Sequence, residues 1–155
     1  MTDFSDLLLP RTILTAASAG SKKALFHQLG VAVAAAHGLD AAAIAEALGE
    51  REKRGSTGFG GGIAIPHARI AGISTVVGGF ARLAQPIDFQ AVDDLPVDLV
   101  FVLLSPLEAG AAHLKALARV SRGLRDPALA AKLRGAGSTD ALFALLVADE
   151  TRDAA

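Results

Sequence analysis

At 155 residues the chain has the length of one compact domain, and a domain of that size buries roughly 70% of the surface its unfolded form exposes. Apolar residues make up 52% of it and charged residues 20%, a globular composition. The 15 basic against 16 acidic side chains leave none of the positive excess with which nucleic-acid binders displace counterions. Cysteine is absent, which excludes disulfides, thiol catalysis and Cys-ligated zinc and agrees with a reducing compartment.

The first ten residues carry Asp3 and Asp6 where a secretion signal carries positive charge, and no uncharged apolar run reaches membrane-spanning length. A cytoplasmic protein without membrane insertion is expected. Ser21 is suited to cap a helix from Lys22 to His37, in which Leu25, Leu29 and Val33 recur every fourth position and Gly38 supplies the stop. Asp40 caps a second helix with Ile44 and Leu48 on one face and Glu50, Arg51, Glu52 and Lys53 at its polar end.

From Gly55 to Gly62 the glycine density reads as a loop, followed by a short β-like run, Ile63 to Ile65, and by Pro66. His67 is therefore expected just beyond a strand end. Thr75 to Leu83 reads as a strand weakened at Gly78 and Gly79, and the nearly continuous apolar run from Val97 to Leu104 as a central strand covered on both faces. A helix from about Gly110 to Leu124 aligns Leu114, Leu117, Val120 and Leu124. Asp126 with Pro127 opens another, and Ser138 or Thr139 a last one. Strands interleaved with helices predict a single α/β domain, a mixed central sheet with helices on both sides, over residues 1–150, with a loose tail at 151–155.

Chemistry concentrates around the Gly-rich segment. Its backbone N–H groups could converge on an anion, yet no Gly-Lys-Ser/Thr follows and a strand rather than a long helix comes next, so taken alone the segment reads better as a plain flexible turn. His67 is held by a rigid Ile-Pro step, where a neutral ring nitrogen could attack phosphorus or simply hydrogen-bond a loop end. Taken alone, Arg51 reads as a solvated helix-end residue and His113 as a boundary residue of the core. His27 and His37, on the first helix, are treated as structural or solvated. Asp88, Asp93, Asp94 and Asp98 flank Pro86 and Pro96 in a turn-like pattern, and no metal or cofactor is assigned.

The stretch Arg51-Glu-Lys-Arg-Gly-Ser-Thr-Gly-Phe-Gly-Gly-Gly-Ile-Ala-Ile-Pro-His67 resembles the phosphorylation-site signature of the fructose/mannitol and nitrogen-related enzyme IIA family of the phosphotransferase system. Pro86-Ile-Asp-Phe89, Pro96 to Leu104 and His113-Leu-Lys-Ala-Leu-Ala-Arg119 are similar to it in the same order. The resemblance implies a phosphocarrier whose His67 receives a phosphoryl group from a histidine-containing phosphocarrier protein, with Arg51 and His113 flanking it and acting on the phosphoryl group rather than on folding. It implies the same α/β architecture and output through regulated target proteins. Ser56, Thr57 and Gly58 are candidate phosphate-binding residues. The Gly-Ser-Thr-Gly wording favours the nitrogen-related branch, the alternative being a sugar-specific component that passes phosphate to a IIB domain. Ala68 stands where many members have Gly, and Arg54 falls at a variable position.

Overall fold

Capping chemistry sets the helix boundaries in the computed structural model, which describes residues 3–148. Ser21 accepts from the Ala24 N–H at 3.1 Å to open α1 (Lys22–His37), and Gly38 closes it in the left-handed region at φ 67°. Asp40 caps α2 (Ala41–Lys53) through the N–H groups of Ala42 and Ala43. Gly110 precedes α3 (Ala111–Leu124), Asp126 caps α4 (Pro127–Gly135), and Ser138 caps α5 (Thr139–Leu146). The stripe of α3 differs from expectation, because His113, Ala116, Val120 and Leu124 face the core while Leu114 is 63% exposed. A buried hydrogen bond to His113 accompanies that roll of the helix and turns Leu114 outward.

The strands are β1 (Ile13–Ala17), β2 (Gly58–Gly60), β3 (Ile63–Ala64), β4 (His67–Ile70), β5 (Val77–Ile87) and β6 (Val97–Pro106). They form a mixed six-stranded sheet in the order β1-β5-β6-β3-β2, with β4 also paired to β6. β6 is central, as its apolar run predicts. Val100, Val102 and Leu104 pack with Leu25, Leu29, Ile44 and Leu48 of α1 and α2. Leu99, Phe101 and Leu103 pack with Val120, Leu133 and Leu142 of α3, α4 and α5. Helices thus cover both faces of the sheet. No helix among the described residues is long and apolar enough to cross a membrane, and the tail expected at 151–155 lies outside the described residues.

Two segments depart from the sequence reading. β5 runs on to Ile87, and its glycines are demanded by packing rather than tolerated: a Cβ on Gly78 would meet Phe101 Cε1 and the Val102 carbonyl at 3.0 Å, and one on Gly79 would meet the Thr12 carbonyl at 3.1 Å. The Gly-rich segment is not wholly a loop, since Gly58–Gly60 pairs antiparallel with β3. β3 and β4 run along the same edge of β6, interrupted at Ile65 and Pro66, where the Pro66 carbonyl accepts from Leu103 N–H at 2.9 Å. His67 is consequently the first residue of β4, at an interruption of the sheet edge.

Candidate functional site

The end of α2, the start of β4 and the first turns of α3 meet at a cleft of about 480 Å³ lined by Arg51, Arg54, His67, Arg69, His113 and Leu114, among others. A larger cleft of about 580 Å³ between α1 and α2 holds no histidine, so chemistry rather than size distinguishes the first. The rings of His67 and His113 lie 5.4 Å apart, centroid to centroid, inclined by 50°.

His67 Nδ1 is 2.8 Å from the Ile65 carbonyl oxygen. A carbonyl only accepts, so Nδ1 carries the proton, and in the neutral ring the lone pair is on Nε2. Burial holds the His67 pKa below its ordinary value of 6.5; the Ile65 carbonyl opposes this, and the charges of Arg51 and Arg54 add to it while Glu52 pulls the other way. His113 is buried, its Nδ1 2.6 Å from the Ser105 hydroxyl. Its pKa is lowered too, by burial first and then by His67 and Arg69. Both rings are therefore neutral around pH 7.

Arg51 Nη1 donates to the Gly55 carbonyl at 2.9 Å, which ties the fork to the start of the Gly-rich segment and leaves its remaining N–H groups for an anion. The guanidinium groups of Arg54 and Arg69 make no side-chain hydrogen bond or ion pair among the described residues. The cleft thus sets three arginines against the single carboxylate of Glu50, with a neutral imidazole in its wall.

The structure brings His67, His113 and Arg51 together, as the sequence resemblance implies. It does not bring Ser56, Thr57 and Gly58 into that group. The Ser56 hydroxyl donates to the Phe89 carbonyl at 2.5 Å and accepts from Gly58 N–H at 3.1 Å. The Thr57 N–H and hydroxyl both bind the Glu52 carboxylate, at 3.0 and 2.6 Å, and Glu52 also takes the Lys22 ammonium at 2.8 Å. Two of the aspartates act as turn acceptors, Asp88 for Gln90 N–H and Asp93 for Gly61 and Leu95 N–H, while Asp98 pairs with Arg134. His27 and His37 do not line the cleft.

Sequence reasoning missed Arg69, Ser105 and the positioning role of the Ile65 carbonyl. A signal existed for Arg69: strand periodicity puts it on the same face as His67, with Ala68 and Ile70 buried behind. No sequence signal joined Ser105 to His113, because that contact depends on how α3 lies against β6.

The family described as "Phosphoenolpyruvate-dependent sugar phosphotransferase system, EIIA 2" matches residues 6–148 of the chain. A nitrogen regulatory protein of Bradyrhizobium diazoefficiens is 46% identical over 142 residues, covering 92% of this chain and 93% of that protein. One of Pseudomonas aeruginosa is 40% identical over 148 residues, covering 95% and 96%. The crystal structure of nitrogen regulatory protein IIA-Ntr from Neisseria meningitidis is similar with a TM-score of 0.82 at 37% identity, covering 90% of this chain and 95% of that one. The chain belongs to the EIIA 2 family of the phosphoenolpyruvate-dependent sugar phosphotransferase system and is a IIA-type component of a phosphoryl relay.

Proposed function

We propose that this protein is a cytoplasmic phosphocarrier of the nitrogen-related phosphotransferase system. It accepts a phosphoryl group on His67 from a histidine-containing phosphocarrier protein and regulates partner proteins by its phosphorylation state. The observation that carries this reading is the Nδ1 contact of His67 with the Ile65 carbonyl at 2.8 Å, beside His113 and Arg51. Similarity to nitrogen regulatory proteins over nearly the whole chain supports the branch.

The transfer follows from that geometry. The Nε2 lone pair of neutral His67 attacks phosphorus in line as the donor's P–N bond breaks, and the donor ring, protonated at its other nitrogen, leaves as neutral imidazole. His67 becomes a phosphorylated ring that still holds its Nδ1 proton and gains positive charge, which the Ile65 carbonyl stabilises. Arg51, Arg54 and Arg69 neutralise the phosphoryl oxygens, and His113 offers them an N–H donor. Ser56, Thr57 and Gly58 hold the Gly-rich segment together instead of binding phosphate, since their donors are already engaged. A phosphoryl group adds up to about two negative charges, enough to change which protein surface docks on the cleft.

The test is incubation with the general phosphotransferase proteins and phosphoenolpyruvate, followed by mass mapping of the intact phosphopeptide. One acid-labile phosphate on the His67 peptide is expected, and none in His67→Ala. Stoichiometric labelling of a folded His67→Ala variant overturns the assignment. Sugar-dependent loss of the label to a reconstituted membrane permease replaces the regulatory branch by the sugar-specific one.

A further inference from the structure

We propose that Ser105 is a positioning residue that holds His113 in the Nε2–H tautomer, so that this ring presents a hydrogen-bond donor to the phosphoryl group on His67. In its catalytic consequence this rests on the phosphoryl-transfer reading above; the tautomer itself is a property of the resting protein.

Ser105 follows directly on the apolar run of β6 and is 0% exposed. Nothing in core packing asks for a polar atom there, and a buried hydroxyl proton without an acceptor is unfavourable. Its partner among the described residues is His113 Nδ1, at 2.6 Å. If Nδ1 carried the proton, Ser105 would accept it and its own O–H would be left without an acceptor. If Ser105 donates instead, both atoms are satisfied and the proton of the neutral ring goes to Nε2.

The consequence differs between the tautomers. An Nε2–H donates to a phosphoryl oxygen, whereas an Nε2 lone pair would repel it. The lowered pKa of His113 keeps the ring neutral, so the second nitrogen does not become a donor merely by protonation. The backbone gives the arrangement its rigidity. Ser105 is the register partner of Arg69 on β4, His67 that of Leu103, and His113 sits on the first turn of α3. One sheet ladder therefore fixes the nucleophile and the residue that orients its neighbour.

Imidazole ¹⁵N resonances of the resting protein, recorded where His113 is neutral, report the tautomer directly. A protonated Nε2 and an unprotonated Nδ1 are expected. In Ser105→Ala the ring should redistribute between tautomers, and phosphoryl acceptance from the phosphorylated carrier protein should slow roughly tenfold or more, the usual effect of losing a partner that orients a functional histidine. Ser105→Cys, similar in size and a weaker donor, should fall between the two. A proton on Nδ1 in the wild-type protein overturns the proposal, as does a folded Ser105→Ala with unchanged tautomer and rate. If Ser105→Ala fails to fold, the wild-type spectrum and Ser105→Cys decide. Phosphate mapping to a residue other than His67, with the tautomer as stated, overturns the transfer reading and leaves the hold of Ser105 on His113 standing.

Discussion

Burial separates the roles of Arg51 and His113, which the sequence resemblance treats alike. Arg51 is half-buried with one hydrogen bond at the α2 end, so Arg51→Ala should slow phosphoryl transfer on the order of a hundredfold while shifting stability by no more than about 0.5 kcal/mol. His113 is 6% exposed and satisfies the Ser105 hydroxyl. His113→Ala should match that rate loss and also destabilise the fold by about 1–3 kcal/mol, because it leaves a buried hydroxyl unpaired. Stopped-flow transfer with urea titration of both variants checks the pair. A second expectation concerns pH. His67 has a folded pKa below 6.5, so from 6.5 down to that value the unfolded chain binds more protons than the folded one. The stabilisation from the neutral ring is fully present above 6.5 and is lost as pH falls through the folded pKa. His67→Gln should therefore lose less stability than the wild type between about pH 7.5 and about pH 5.5, measured by thermal unfolding.

At the scale of elements, the Gly-rich segment supports the run that leads to His67, with the Thr57 carbonyl accepting from Ile65 N–H at 3.1 Å, and its anchor is Glu52 near the end of α2. That carboxylate has a side-chain exposure of 7%, and it joins α1 through Lys22 to the segment through Thr57. Glu52→Ala would leave the Lys22 ammonium, itself only 19% exposed, without its partner and two Thr57 donors unsatisfied. Removing one member of such a buried pair typically costs about 3–5 kcal/mol. The urea midpoint should fall accordingly, with transfer impaired even where the variant remains folded. An unchanged midpoint would mean the segment is held mainly by the Ser56 bond to Phe89 and the pairing of β2 with β3. The element also explains a misreading. Gly58 and Gly60 disfavour a strand on either side of Phe59, and the segment becomes β2 because β3 supplies the partner.

For the whole molecule, the sheet divides the apolar interior into two layers that share only its strands. Leu29 lies in the layer under α1 and α2, Leu133 in the layer under α3 to α5, and both are 0% exposed. Leu29→Ala and Leu133→Ala should each cost about 2–5 kcal/mol, and their double variant should equal the sum within about 0.5 kcal/mol. Urea titration of the three variants measures this, and a larger coupling would mean the layers fold as one packed unit across β6. What the sequence determined by itself is what depends on neighbours in the chain. Helix starts follow caps such as Ser21, Asp40, Asp126 and Ser138, the buried strand follows the apolar run of β6, and the Ile-Pro step places His67 beside the Gly-rich segment. What only the tertiary structure decided depends on contacts between distant segments. β1 is a five-residue strand that exists through parallel pairing with β5, the Gly78 and Gly79 pair is required by Phe101 and Val33, and the roll of α3 selects His113 over Leu114 for burial. The same holds for the donors of the cleft. The His113 ring meets Ser105 because α3 lies against β6, and the direction of that hydrogen bond is set by where the folded segments meet, of which local sequence carries no record.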